Sequence, residues 1–328
     1  MYDLIQSFPQ QLEEAIVLGK QAKLTPTKEA IHHVMVSGMG SSGLGGALVK
    51  QCVADHLLVP MEVNHNYTLP AYVSEHTLLI IASYSGDTEE TLQAFKEGVQ
   101  KQAKVICITS GGAIKTLAKQ HNIDTILLPP GRPPRACLDY TVVQLLFILR
   151  FHQLISWDLA TELQDAIQLL EQSQTALQAE AQQIAFRLQG KLPVIYTTAA
   201  YEAVAIRLRQ QLNENSKQLC WHHIIPELSH NEIVGWSTPH GYLAVLMLGS
   251  DAENDRAQVQ QHITREIIQK HAASFTTLQA HGKTHFVKSL YLIHLGDWLT
   301  FYLAREKGVD PMEVAAIDQV KAKLNKCS

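Results

Sequence analysis

The sequence has no excess of positive charge: 27 Lys and Arg stand against 31 Asp and Glu, a formal net charge of -4. No Lys/Arg cluster breaks that balance, which argues against a nucleic-acid partner, since a phosphate backbone demands a concentrated basic surface. No apolar run approaches the ~18 residues that a membrane span needs. The stretch Met1 to Lys20 carries Asp3, Glu13 and Glu14 and has no apolar h-region. A cytoplasmic protein without a membrane partner is expected. Cysteine is scarce: Cys52, Cys107, Cys137, Cys220 and Cys327 form no CxxC and no even ladder, so a disulfide framework and a zinc knuckle are excluded and ordinary buried thiols remain. The 16 histidines include no HExxH. The adjacent pairs His32-His33 and His222-His223 would point to opposite faces of a strand, so no protein-bound metal is expected. Low-complexity tails and short-period repeats are absent as well.

What is present is length and apolar content. At 328 residues the chain exceeds the size at which one core usually stops growing, and 46% hydrophobic residues can fill two. From residue 34, short β-branched runs alternate with helical stretches: Val34 to Ser37, Leu57 to Val63, Leu78 to Ser83, Val105 to Thr109 and Ile123 to Leu128. A second series follows at Pro193 to Thr197, Gln218 to His223, Tyr242 to Leu248 and Phe275 to Gln279. Strands alternating with helices predict an α/β fold, two mainly parallel sheets each flanked by helices in a three-layer αβα arrangement. Between them Thr141 to Gln189 holds almost no Gly or Pro and places apolar residues at helical spacing, which predicts a long helical connector. His285 to Lys307 reads as helix closed by Gly308 and Pro311, with a last helix from about Met312 to Leu324. The expected boundaries are 1–150 for a first domain with its N-terminal helix, 151–189 for the connector, and 190–328 for a second domain with the C-terminal helices.

Two loops carry the functional signal. Ser37-Gly38-Met39-Gly40-Ser41-Ser42-Gly43 follows the first strand and opens a helix, satisfying GxGxxG at Gly38, Gly40 and Gly43, with Glu62 at about the distance of a ribose-binding acid. A loop so rich in hydroxyls and backbone N–H groups suits a monophosphate or polyol equally, and GxGxxG alone leaves both readings open. The second loop, Ser83-Tyr84-Ser85-Gly86-Asp87-Thr88, ends the third strand. There the hydroxyls of Ser83, Ser85 and Thr88 and the N-terminus of a helix beginning near Asp87 can converge on one compact dianion. A single N-cap would use one hydroxyl; three within six residues weigh toward phosphate.

These loops resemble the phosphate-binding loops of SIS (sugar isomerase) domains. Pro134-Arg135-Ala136, the run Gln211 to Lys217 around Asn213-Glu214-Asn215, the run Pro226 to Trp236 around Ser229-His230-Asn231-Glu232, and the terminal Ile317-Asp318-Gln319-Val320-Lys321 extend the resemblance. Together and in this order they look like the bifunctional phosphoglucose/phosphomannose isomerase family, over nearly the whole chain. The resemblance implies two SIS-type domains and an aldose-ketose isomerase of carbohydrate metabolism that interconverts glucose 6-phosphate, and with it mannose 6-phosphate, with fructose 6-phosphate. It gives Glu214 the role of catalytic base, His230 that of ring-opening acid/base, Lys321 that of its assistant at the ring oxygen, and Arg135 that of the cation facing the enediolate. Gly40, Ser41, Ser42, Ser83, Ser85 and Thr88 are given to the phosphate. A homodimer in which His230 reaches the neighbouring subunit's site is also implied, with no cofactor.

Two departures bear on the substrate. Asp310-Pro311-Met312-Glu313 stands where the family carries a Thr-Pro after Asp-Pro, and Ser41 stands where a glycine is usual, which makes glucose 6-phosphate the firmer expectation of the two sugars. The residue types suit the chemistry. A buried carboxylate flanked by enclosed asparagines can take a proton beside a carbonyl, a guanidinium stays charged in a dry pocket, and an imidazole gives and takes protons near neutrality. A sugar-phosphate sensor built on the same loops would have no need of Glu214, His230 and Lys321 together. An NAD-dependent oxidoreductase would rest on Gly38, Gly40, Gly43 and Glu62 alone, and an isomerase acting on another phosphosugar, such as an amino sugar, is the remaining alternative.

Overall fold

The structure, a computed structural model, describes residues 1–250 and 255–324. The chain divides into two compact units, Ser7–Glu171 and Met1–Gln6 with Gln172–Ser328, and the division falls inside one long helix. The short opening helix α1 (Tyr2–Gln6) belongs to the second unit.

The first unit runs α2 (Phe8–Gln21), β1 (His33–Ser37), α3 (Gly40–Cys52), β2 (Met61–Asn64), β3 (Thr77–Ala82), α4 (Glu89–Gln100), β4 (Lys104–Thr109), α5 (Gly112–Gln120), β5 (Asp124–Leu127) and α6 (Leu138–Phe151). Its five strands lie in the order β2-β1-β3-β4-β5, all parallel. Continuous Val, Ile and Leu runs form the central strands because both faces are covered; every residue of β3 is buried. Met35, Leu79, Ile81, Phe95, Val105 and Cys107 form one core cluster, where burial pushes the Cys107 thiol up to about 12. The second strand starts at Met61, four residues later than its apolar run. Pro60 has no N–H to give a ladder, and Leu57 forms only an isolated antiparallel bridge with Ile155.

The predicted connector is two helices, α6 and α7 (Leu159–Leu188). Asp158 restarts the helix by accepting hydrogen bonds from the Thr161 N–H (3.3 Å) and hydroxyl (2.7 Å), with Trp157 buried beside it. The second unit then runs β6 (Leu192–Thr198), α8 (Glu202–Glu214), β7 (Trp221–Ile225), β8 (His240–Gly249), α9 (Asp255–Ile268), β9 (Ala272–Gln279), α10 (His285–Glu306) and α11 (Ala315–Leu324). Its sheet order is β7-β6-β8-β9, again all parallel. Helix α10 is buried from Phe286 to Ala304, which is why apolar residues occur on every side of it, with a few polar ones such as His294 and Asp297 among them. The last helix begins at Ala315 rather than Met312, since the Met312 and Ala315 N–H groups turn to the Asp310 and Glu313 carboxylates.

Of the cysteines, Cys52, Cys107 and Cys137 are buried as expected, whereas Cys220 is partly exposed, and Cys327 lies outside the described residues. Among the described residues no helix is long and apolar enough to cross a membrane.

Candidate active site

The first unit builds its site at the carboxyl ends of β1 and β3. These strands are neighbours, yet the chain leaves β1 toward β2 on one side and β3 toward β4 on the other, opening a crevice between the two loops. Gly40 opens α3 at φ +53°. A Cβ on Gly43 would lie 2.3 Å from the Gly38 carbonyl oxygen, and one on Gly38 would lie 2.8 Å from that of Ala82. Close backbone packing therefore accounts for the glycines at 38 and 43. Ser41 and Ser42 are buried in the first turn of α3. Glu62, the acid weighed as a ribose ligand, sits on β2 and accepts the Tyr72 hydroxyl.

In the second loop the hydroxyls do cluster. Ser83 Oγ donates to Thr88 Oγ1 (3.3 Å) and accepts from the Gly86 N–H (3.2 Å), while Ser85 Oγ lies 3.5 Å from Thr88 Oγ1 and accepts from the Asp87 N–H (3.3 Å). Helix α4 begins at Glu89, two residues beyond the expected start, with Thr88 at its N-cap and making no side-chain cap bond. Asp87 instead braces the neighbouring α5, its carboxylate accepting from the Ala113 N–H (2.8 Å). Tyr84, which sequence reasoning passed over, pins the proline-rich loop to this one: its hydroxyl donates to Pro129 O (2.7 Å) and accepts from the Arg132 N–H (3.0 Å). Three residues on, Arg135 is 4% exposed in a 3-10 turn, Pro134–Ala136, packed against α3.

In the second unit, Glu214 is the last residue of α8 and half-buried. Of its two asparagine neighbours, expected to be enclosed, only one is. Asn213 is exposed and gives its amide to Gln218 O (2.7 Å), so it does not enclose the acid; Asn215 is fully buried and donates to Thr300 Oγ1 (3.0 Å). Ser216 Oγ adds a bond to Thr300 O (2.7 Å), fastening the end of α8 to α10. Two turns before Glu214, Arg207 forks onto Asp297 with Nε (3.1 Å) and Nη2 (2.8 Å), and Gln211, one turn before it, donates to the same carboxylate (2.9 Å).

His230 is exposed at the end of a 3-10 turn, Glu227–His230. The next turn is anchored by Glu232, which accepts from Tyr196 Oη (2.5 Å), Trp221 Nε1 (3.0 Å) and His223 Nδ1 (2.8 Å). A carboxylate only accepts, so Nδ1 is the protonated ring nitrogen of His223. Burial, then its own hydrogen bond to Glu232, pushes the Tyr196 phenol far above its ordinary value. Glu232 stood inside the quoted Pro226 to Trp236 run, but nothing in the spacing marked it as an anchor. Lys321 lies on α11, a helix with no buried residue. Thus Ser83, Ser85 and Thr88 are gathered in one loop of the first unit, which also holds Gly40, Ser41, Ser42 and Arg135, while Glu214, His230 and Lys321 occupy three separate elements of the second. Among the described residues no three His, Cys, Asp or Glu side chains are grouped to hold a metal ion.

The family model of the SIS domain matches residues 29–150, and that of the bacterial phospho-glucose isomerase C-terminal SIS domain matches residues 177–324. A bifunctional phosphoglucose/phosphomannose isomerase from Caldicellulosiruptor bescii is 33% identical over 335 residues, covering 99% of this chain and 98% of its own. The chain belongs to the bifunctional phosphoglucose/phosphomannose isomerase family. A member of the same name from Aquifex aeolicus is 32% identical over 329 residues, covering 99% of this chain and 98% of its own. The C-terminal domain of glucosamine-fructose-6-phosphate aminotransferase from Francisella tularensis shares the fold at a TM-score of 0.76 and 15% identity, over 94% of this chain and 96% of that one. Both α/β units of this family member are SIS-type domains.

Proposed function

We propose that this protein is an aldose-ketose isomerase that interconverts glucose 6-phosphate, and with it mannose 6-phosphate, with fructose 6-phosphate. The observation that carries this reading is the near-full-length similarity to relatives named for those two activities. The hydroxyl cluster of the β3 to α4 loop supports the substrate class: Ser83, Ser85 and Thr88, with the first turn of α4 and Gly40 to Ser42, offer a phosphate dianion hydroxyls and a helix N-terminus. His230 opens the sugar ring. Glu214 takes the C2 proton and returns it to C1 through an enediolate, whose oxygen is stabilised by Arg135; one such donor is worth about 3 to 4 kcal/mol. Lys321 assists at the ring oxygen. The exposure of His230 fits a homodimer in which it serves the neighbouring subunit, in a cytoplasmic enzyme of carbohydrate metabolism.

The decisive assay measures fructose 6-phosphate formed from each aldose in EDTA, with wild type and Glu214→Gln. Turnover by the wild type that falls by about 10²- to 10⁴-fold in the variant is expected of a general base. Binding of both sugars without turnover would transfer the reading to a sugar-phosphate sensor.

A further inference from the structure

The turn after Glu214 holds a lysine that the isomerase chemistry above leaves without a role. An ammonium has three hydrogens and no acceptor. Lys217 gives them to three backbone carbonyls: Glu214 O at 2.8 Å, Asp310 O at 2.6 Å and Glu313 O at 2.8 Å. The Glu313 carboxylate stands further off at 4.0 Å. Lys217 itself sits at φ +49°, a left-handed conformation that side-chain-bearing residues seldom adopt and that persists where the surroundings enforce it. Those surroundings include a second lysine: Lys307 Nζ donates to Lys217 O (3.1 Å) and Gln218 Oε1 (2.8 Å), and burial lowers its affinity for its proton.

A lysine that merely closed the C-terminal end of α8 would need only the first of these bonds, since the orphan carbonyls lie in the last turn. The other two reach residues 93 and 96 positions away, in the turn that carries Met312 and leads into the Lys321 helix. One ammonium thus fixes the backbone of Glu214 against the start of α11, all within the second unit. We propose that Lys217 is a positioning residue, which sets the Glu214 carboxylate in its reactive placement and holds the Met312 turn in register with it. The proposal rests on the reading of Glu214 as the base. Its consequence is specific: loss of the clamp slows proton transfer and leaves phosphate binding, made in the first unit, intact.

The test uses the full chain with Lys217→Met and Lys217→Arg, assayed on glucose 6-phosphate and on the same sugar deuterated at C2. For Lys217→Met, kcat should fall about 10- to 100-fold, as misplacement by about an ångström does. KM should stay within about twofold, and the C2 isotope effect on kcat should rise as proton transfer becomes limiting. Lys217→Arg keeps the charge but offers a planar fork instead of a point, so it should recover only part of the loss. If Lys217→Met does not fold, Lys217→Arg gives the same readout. Wild-type kcat and isotope effect in the folded variant, or a rise in KM at unchanged kcat, would overturn the proposal. Glu214→Gln is measured alongside: an active Glu214→Gln removes the base and the clamp together, whereas an inactive one beside a wild-type-like Lys217→Met removes the clamp alone.

Discussion

Asp297 sits midway along a helix that is buried on every side, and it holds an ionised partner rather than an apolar one. Its carboxylate takes both prongs of Arg207 and the amide of Gln211, with the Arg207 and Asp297 side chains only 3% and 8% exposed. Breaking such a pair from one side strands a buried charge, at about 3 to 5 kcal/mol, whereas replacing both members with apolar side chains of similar volume can be nearly neutral. Asp297→Ala should therefore lower unfolding stability by about 3 to 5 kcal/mol, and Arg207→Met with Asp297→Leu should recover much of that. Urea unfolding followed through the adjacent buried Trp298 reads this directly, and equal losses in the single and double variants would contradict it. The pair was not legible beforehand, because Arg207 and Asp297 are 90 residues apart and neither stands in a run that resembles a motif. Nor was the seam they belong to, in which Asn215 and Ser216 carry the end of α8 onto Thr300. Glu214 itself was legible only through its resemblance to a family, since an acid ending a helix is otherwise an ordinary surface residue.

Among elements, the β3 to α4 turn shows what sequence patterns convey and what they omit. A buried run followed by three hydroxyls announced a strand end and an anion-binding loop. Its geometry depends on a contact that the run does not contain. Gly86 lies at φ +76°, where a Cβ would stand 2.0 Å from the Gly111 carbonyl oxygen of the neighbouring loop. Gly86→Ala must shift one backbone or the other as well as adopt a left-handed conformation, a strain of about 1 to 3 kcal/mol. Because the Gly86 N–H also donates to Ser83 Oγ, the hydroxyl cluster moves with it. The variant should show a raised KM for sugar phosphate and a lower thermal midpoint, and wild-type values of both would mean that the turn tolerates a side chain. The same division holds for the other elements. The central strands β3, β4, β6 and β8 were readable because parallel strands buried on both faces are rich in Val, Ile and Leu. The ends of several elements were not, because Pro60 has no N–H to give β2 a ladder bond and Asp158 starts α7 by accepting from the Thr161 N–H.

At the scale of the molecule, burial lowers the pKa of a partly buried histidine in the first unit, His152, and of a fully buried one in the second, His294, which ties the stability of both units to acid. His152 in the first unit is lowered to about 4, by burial foremost and then by the charge of Lys104. His294 in the second is lowered to about 3 by burial alone, its Nε2 lying 2.8 Å from Gln174 Oε1. A histidine with a folded pKa below its unfolded value near 6.5 takes up its proton more readily in the unfolded chain. Its contribution is therefore fully present above about pH 6.5 and is lost as pH falls toward the folded value. For the fully buried His294 the loss is up to about 1.4 kcal/mol for each pH unit through that window. Asp124, for which the Lys104 and Thr25 hydrogen bonds outweigh burial and lower the pKa, gives up its contribution only below the ordinary carboxylate range near 4. The interval from pH 7 to pH 5 thus lies above the Asp124 window, while Glu180, raised by burial, takes up its proton more readily in the folded chain and acts there in the opposite sense to the histidines. Thermal unfolding across it should show a falling midpoint, and His294→Gln should flatten the fall in the transition of the second unit while leaving His152 to act on the first. A midpoint that stays level from pH 7 to pH 5 would mean that protonated imidazoles find partners inside the folded units, and an unchanged slope in His294→Gln would assign the acid sensitivity to other groups.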